Sequence, residues 1–302
     1  MKVLVTGATG FVGREIVAQI HIAGHQARIL ARNQPAAQRF AEATASEFHP
    51  GDITRADLLK GAMEGVDAVI NLVGIISEIG EQTFDKVHTE GTKNLVEAAK
   101  HARVGRFIQM SALGTRPEAA SRYHRSKWDA EVLVRNEAWD YTIFRPSMIY
   151  GREDHFVNLF AKIIRWSPVV PILGRKDAQF QPVAVEVVGQ AFVTALNPGC
   201  ALWQTLDLCG PERLTMREMI GQILSVMRKR RLTFQVPSFV ARLQAWLLEK
   251  SFPRMLHRAS PLNRDQLLML DEDNVGDPKP ANELLGLKQG LFREQIEYVR
   301  KP

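Results

Sequence analysis

Short apolar runs alternate with amphipathic stretches of helical period through the first half of the chain. Val3-Leu4-Val5 forms an apolar strand, and Ile16, Val17 and Ile20 then recur at the spacing of one helix face. Gln26 to Ala31 reads as a second strand, Pro35 to Ala43 as a helix, and a short strand ends at Gly51-Asp52-Ile53. A helix near Ala56 to Met63 leads to the apolar strand Asp67 to Leu72. Phe84 to Ala102 reads as a long helix, Arg106 to Met110 as a strand, Ser121 to Asn136 as a helix and Tyr141 to Arg145 as a strand. Strands separated by helices in this way predict an α/β protein with a Rossmann-type, doubly wound parallel sheet over residues 1–150.

Residues 151–302 are less regular and predict a smaller, partly helical region on the substrate or partner side, interlocked with the first. Phe156, Leu159, Phe160, Ile163 and Ile164 form a helical stripe, which Pro168 to Pro171 breaks. Gln181 to Val188 crosses toward a helix around Ala191, and Leu202 to Leu208 can return to the sheet as a strand. Thr215 and Glu218 form a capping box for a helix reaching Met227. Asp271 to Pro280 reads as a loop before a short helix around Phe292 to Arg300.

The first strand runs into Thr6-Gly7-Ala8-Thr9-Gly10-Phe11-Val12-Gly13-Arg14. Gly7 permits the tight turn, Gly10 lets backbone N–H groups approach a phosphate, and Gly13 lets the helix pack close to the strand. The context lays a pyrophosphate on a helix N-terminus, so Thr6, Gly7, Thr9, Gly10, Phe11, Val12 and Gly13 are expected at a dinucleotide. About twenty positions on, where an acid would hold a ribose 2′-hydroxyl, the chain has Arg32-Asn33. Together with Arg14 this suits a 2′-phosphate, hence NADP(H) over NAD(H); the weaker alternative is that both arginines are ordinary surface cations. Asp52 and Ile53 are placed to meet the adenine, unless Asp52 is a plain turn residue. Leu72, Val73 and Gly74 close the fourth strand near the nicotinamide.

The next strand delivers Ser111 to the same edge, and Tyr123 and Lys127 follow one helical turn apart on one face. A phenol is a poor acid or base at neutral pH. A cation one turn away favours the phenolate and can hold the nicotinamide ribose, while Ser111 orients the reacting oxygen. Y-x-x-x-K alone is weak evidence; its place after the glycine turn and Ser111 makes it an active-site framework.

The glycine motif, Ser111/Tyr123/Lys127 and Phe144-Arg145-Pro146-Ser147-Met148-Ile149-Tyr150-Gly151 resemble an extended or atypical short-chain dehydrogenase/reductase. Phe84 to Gly91, Ser111-Ala112-Leu113-Gly114, Gln181-Pro182-Val183, Pro261-Leu262 and Asp265-Gln266-Leu267 are similar, more specifically, to the NADPH-binding accessory subunit of respiratory complex I and its stand-alone bacterial relatives. The resemblance implies bound NADPH, Pro146 at the cofactor, and a link to quinone or respiratory metabolism. It implies either an oxidoreductase acting on a carbonyl or hydroxyl, or a nonenzymatic NADPH-holding subunit or assembly factor. One departure bears on catalysis: where many extended enzymes have V-N-x-x-G-T, this chain has Val87-His88 before Gly91-Thr92, which leaves the proton-relay position without its Asn.

With 302 residues and 45% apolar content the chain can bury a sizeable core. Cys200 and Cys209 are too few and wrongly spaced for a disulfide framework or zinc, so no metal is expected and a reducing, cytoplasmic setting is favoured. No run of eighteen apolar residues offers a membrane span. The net charge of +6 is concentrated: Arg213 to Arg258 holds ten Lys and Arg against Glu218 and Glu249, an excess of eight positive charges. Within it Phe239, Val240, Leu243, Trp246, Leu247 and Phe252 can form an apolar helix face with Arg242, Lys250 and Arg254 at its edges. That composition suits an anionic membrane surface or an acidic partner, and equally a face packed on the chain's own substrate region. Nucleic acid is unlikely as a partner, because the cations do not interleave with stacking aromatics.

Overall fold

The computed structural model describes residues 1–32, 34–256, 260 and 262–300, with the side chains of residues 250 and 253–256 left aside. Asn33, Arg258 and Pro261, and the side chains of Lys250 and Arg254, therefore lie outside the description.

The strands are β1 (Lys2–Thr6), β2 (Gln26–Ala31), β3 (Glu47–Pro50), β4 (Ala68–Asn71), β5 (Arg106–Met110), β6 (Tyr141–Pro146), β7 (Ile149–Tyr150), β8 (Val169–Ile172), β9 (Gln179–Phe180), β10 (Val183–Ala184), β11 (Gln204–Leu208), β12 (Leu214–Thr215) and β13 (Leu232–Gln235). The helices are α1 (Phe11–Ile22), α2 (Gln34–Ala43), α3 (Gly91–His101), α4 (Arg122–Glu137), α5 (Val157–Trp166), α6 (Val185–Thr194), α7 (Met216–Val226), α8 (Ser238–Leu256), α9 (Arg264–Leu270), α10 (Lys279–Leu285) and α11 (Phe292–Gln295).

Seven strands form one sheet in the order β11-β6-β5-β4-β1-β2-β3, every neighbouring pair parallel. The order reverses at β1 and β4, so a crevice opens beyond their carboxyl ends, the position at which such sheets bind ligands. Two apolar cores cover the sheet. One packs α1 and α6 with Val3, Val5, Ile70 and Phe144; the other packs Leu4, Val69, Phe107 and Ile143 against Leu95, Val96 and Val134. Burial on both faces explains why these strands read as continuous apolar runs. Residues 204–208 pair with β6 from Gln204↔Thr142 to Leu208↔Pro146, so the second half of the chain completes the sheet of the first.

Local structure departs from the sequence reading in three places. The helix expected over Ala56 to Met63 is two separate 3-10 turns, Ala56–Leu58 and Gly61–Met63, closed by bonds such as Leu59 N–H to Ala56 O and Glu64 N–H to Gly61 O. The long helix from Phe84 begins as a π-helical stretch, Asp85–Glu90, before becoming α3. The proline-bearing break near 168–171 is itself strand β8, paired with β13.

Candidate active site

The turn after β1 is fixed by steric exclusion. Gly7 adopts φ +70°, which favours glycine, and a Cβ on Gly13 would lie 2.6 Å from Ala8 Cα and closer still to Gly7 O. Around Gly10, among the described residues beyond its chain neighbours and its own helix, a Cβ would meet only Gly7 O, at 3.3 Å. Gly10 caps α1 without any side-chain hydrogen bond, so the first N–H groups of the helix face the crevice and carry its positive end. An uncapped helix start beside an open glycine fits a pyrophosphate. Thr6 is different from its neighbours: its hydroxyl is wholly buried, donates to Asn71 Oδ1 at 2.6 Å and accepts from Leu72 N–H at 3.2 Å. It ties β1 to β4 and leaves no side-chain group for a ligand. Thr9 is half-buried, with its carbonyl accepting from Arg14 Nε at 3.1 Å; Phe11 packs near Gly151, and Val12 packs on the core.

Arg14 lies over the Phe40 ring at 5.6 Å and 3.5 Å from Glu153. Arg32 donates to Gln82 and stands 3.9 Å from Asp52. Both guanidiniums remain more than half exposed. Asp52 Oδ1 closes an Asx turn on Thr54 N–H at 2.9 Å and the Thr54 hydroxyl at 2.8 Å. Ile53 is buried against Gly91, and its carbonyl accepts from Asn94 at 2.9 Å, so its side chain belongs to the core. Leu72 is buried, Val73 half-buried and Gly74 exposed. Pro146 is buried, with its carbonyl accepting from Leu113 N–H at 2.9 Å.

Ser111 follows β5, while Tyr123 and Lys127 stand on the first turns of α4. Lys127 is almost fully buried and donates from Nζ to Met110 O at 3.2 Å. A Cβ on Gly74 would lie 3.1 Å from that nitrogen, so the glycine makes room for the lysine head. Burial draws the Lys127 pKa down to about 8, against a smaller opposite pull from Glu131. Burial pushes the Tyr123 phenol up to about 12, with the Asp265 carboxylate adding to the rise. The phenol ring is boxed by the rings of Phe84 at 6.0 Å, His88 at 5.4 Å and His124 at 5.4 Å. Ser111 Oγ donates to Thr115 Oγ1 at 3.4 Å.

Two tethers were not legible as functional residues. Asp265 accepts from Arg122 N–H at 2.8 Å, Tyr123 N–H at 3.1 Å and the Ser121 hydroxyl at 3.1 Å, setting a carboxylate on the positive end of α4. It is itself placed by the Asn263/Gln266 capping box of α9, a signal present in the sequence. The second tether is His88. Its Nε2 accepts from Ile75 N–H at 3.0 Å, which leaves Nδ1–H to donate to Ser126 Oγ at 2.8 Å, and Ser126 donates onward to Tyr123 O at 2.8 Å. Burial, aided by the nearby Lys127 charge, holds the His88 pKa down to about 2, so the ring stays neutral. The histidine thus clamps the segment after Gly74 to α4. Beside it Arg122 makes a bidentate pair with Glu78, at 2.8 and 3.1 Å. A cavity of about 610 Å³ opens there, lined by Phe84, Arg122, Asp265, Arg242 and Glu249 among others.

A parallel sheet with a glycine-turn crevice and a Ser, Tyr and Lys set at its carboxyl edge defines a dinucleotide-binding protein of short-chain dehydrogenase/reductase type. Residues 7–160 match the family model described as NAD(P)H-binding. The chain is 30% identical over 284 residues to the mitochondrial NADH dehydrogenase [ubiquinone] 1 alpha subcomplex subunit 9 of Arabidopsis thaliana, spanning 90% of this chain and 70% of that one. The mouse protein of that name is 32% identical, and there the match spans 78% of this chain and 64% of the relative. The Thermotoga maritima UDP-glucose 4-epimerase structure superposes with a TM-score of 0.77 at 17% identity over 100% of this chain and 98% of that one, a likeness of fold. The chain belongs to the NAD(P)H-binding, atypical extended short-chain dehydrogenase/reductase-like family that includes these alpha subcomplex subunits.

Proposed function

We propose that this protein is an NADP(H)-dependent oxidoreductase acting on a carbonyl or hydroxyl of a small molecule. The observation that carries the reading is Tyr123 and Lys127 one turn apart on α4, with Lys127 seated against Gly74 beside the nucleotide crevice. A 34% identical stretch of 174 residues, spanning 57% of this chain and 54% of the relative, in the Caulobacter vibrioides ceramide reductase supports it. A nicotinamide held in the crevice would supply or accept the hydride. At neutral pH a phenol pushed up to about 12 and an ammonium at about 8 hold the protons a carbonyl reduction needs: Tyr123 donates one to the substrate oxygen, and Lys127 stabilises the phenolate left behind. Ser111 Oγ turns from Thr115 to orient that oxygen. Arg14 and Arg32 select the 2′-phosphate. The quinone or respiratory link rests on the alpha subcomplex relatives.

Mass spectrometry of nucleotide released from the purified protein tests the cofactor. A panel of aldehydes and ketones then tests turnover, with Tyr123→Phe expected to lower it roughly 100-fold while nucleotide binding is nearly unchanged. The second reading is an NADPH-holding subunit or assembly factor. It is favoured by the separate hydrogen bonds of Ser111 and Lys127 and by a Tyr123 phenol that forms none among the described residues. Retained NADPH with no substrate-dependent oxidation would establish it.

A further inference from the structure

Helix α8 packs on its own chain through small residues and leaves its large apolar side chains outside. Its inner line is Ala241 and Ala245, clustered with Leu267, while Phe239 is 74% exposed, Leu243 58% and Leu247 52%. Positions 239, 243 and 247 recur every four residues and so form one stripe, which Val240 and Trp246, also exposed, widen. Strand β13, immediately before α8, exposes Leu232 and Phe234 at alternate positions on one face. A run of large apolar side chains left toward solvent by two consecutive elements marks a docking surface.

Charge identifies the occupant. Arg228, Lys229 and Arg230, on the turn leading into β13, are exposed and have no acidic partner among the described residues; Arg231 donates to Ile164 O and Arg230 O. The stretch 213–258 holds an excess of eight positive charges. A second copy of the chain docked symmetrically would set that excess against itself. An apolar helical stripe carrying Phe, Leu and Trp, preceded in the chain by the unpaired cations of residues 228–230 and carrying Arg242, which stands 3.9 Å from Asp271, matches a helix lying in the headgroup layer of an anionic bilayer. Among the described residues no helix is long and apolar enough to cross a membrane, so contact through this region is peripheral.

We propose that β13 and α8 dock this protein on an anionic lipid surface. The test is sedimentation of the full chain with phosphatidylcholine vesicles, with and without about 30% phosphatidylglycerol, at low and at high salt. Sedimentation with the anionic vesicles at low salt, and release at high salt, is the expected result. Arg228→Glu, Lys229→Glu and Arg230→Glu together should lower partitioning by roughly 100-fold or more, at about fivefold for each charge. Leu243→Ser with Leu247→Ser should lower it as well, and both positions are exposed, so circular dichroism should match the wild type. Wild type left in the supernatant at low salt, or either variant partitioning unchanged, would overturn the proposal. So would a concentration-dependent dimer that the leucine variant abolishes, because the stripe would then be a contact between copies. None of these readouts depends on turnover.

Discussion

The glycine end of the crevice and the end that carries Tyr123 and Lys127 are built by opposite means. At the first, Gly7 and Gly10 lie in the turn and Gly13 in the first turn of α1, and shape is set by backbone atoms that leave no room for a Cβ at Gly13. At the second, Tyr123 and Lys127 sit on a helix whose start is held by a carboxylate 142 residues further along the chain and by a histidine clamp from another element. Excluded volume gives a rigid cradle that tolerates no added atom at Gly13. Hydrogen-bonded tethers give a position that can be loosened by degrees, and substitutions at the two ends should therefore fail differently.

The largest effect is expected at Gly13→Ala. The added methyl overlaps the backbone of Gly7 and Ala8, so stability should fall by about 3 kcal/mol or more and nucleotide binding should be lost, as read by urea unfolding and nucleotide titration. Gly10→Ala, which has more space, should fold normally and bind more weakly. Near-wild-type behaviour of both would erase the contrast between the two ends.

Lys127→Met should act in the opposite direction on stability. The lysine pKa is about 8 when folded, against 10.5 in the unfolded chain, so below pH 8 the buried charge carries its full penalty of about 3 kcal/mol. Between pH 8 and 10.5 the folded protein sheds a proton that the unfolded chain keeps, and wild-type stability rises. The methionine variant should therefore be more stable at pH 7, with the advantage shrinking through that window, and it should be inactive. Chemical denaturation across pH measures this, and a variant less stable at neutral pH would show that the ammonium is better solvated than its burial implies.

Asp265→Ala removes three hydrogen bonds from the start of α4, although Ser121 still caps it by accepting from His124 N–H at 3.1 Å. A loss of about 2 kcal/mol is expected, with turnover reduced and nucleotide affinity kept. Equal losses of both would mean that the two ends are coupled through α4. The smallest effect belongs to Arg32→Ala. A guanidinium more than half exposed is screened, so NADPH should bind about tenfold more weakly with NADH unchanged. Identical titrations for wild type and variant would remove Arg32 from cofactor selection.

The same division decides what the sequence disclosed. The β1 turn and the parallel strands are legible because each depends on local spacing or on runs of apolar residues, and the placing of Tyr123 and Lys127 one turn apart on α4 is local in the same way. The capping box at Thr215 and Glu218 is present, with Thr215 Oγ1 accepting from Glu218 N–H at 3.2 Å. Thr6 looked like a ligand residue because it adjoins the glycines; its partner Asn71 comes from another strand and is invisible to local reading. Asp265 and His88 escaped for the same reason, since their partners are fixed only when α9, α4 and the segment after β4 meet. For α8 the apolar stripe was evident from its period, but period alone does not say which side faces the core. The small Ala241 and Ala245 line settles that orientation.

The return of residues 204–208 to the sheet sets a timetable for folding. Until Gln204–Leu208 is available, β6 has an unpaired edge, and the buried Arg106 lacks two of its acceptors, the carbonyls of Ala195 and Cys200, at 3.1 and 3.0 Å. On a ribosome the strands through β6 emerge first, so the nascent sheet carries an open edge on that side for the time taken to make about sixty further residues. During that interval the β6 edge and the Arg106 guanidinium both lack native partners.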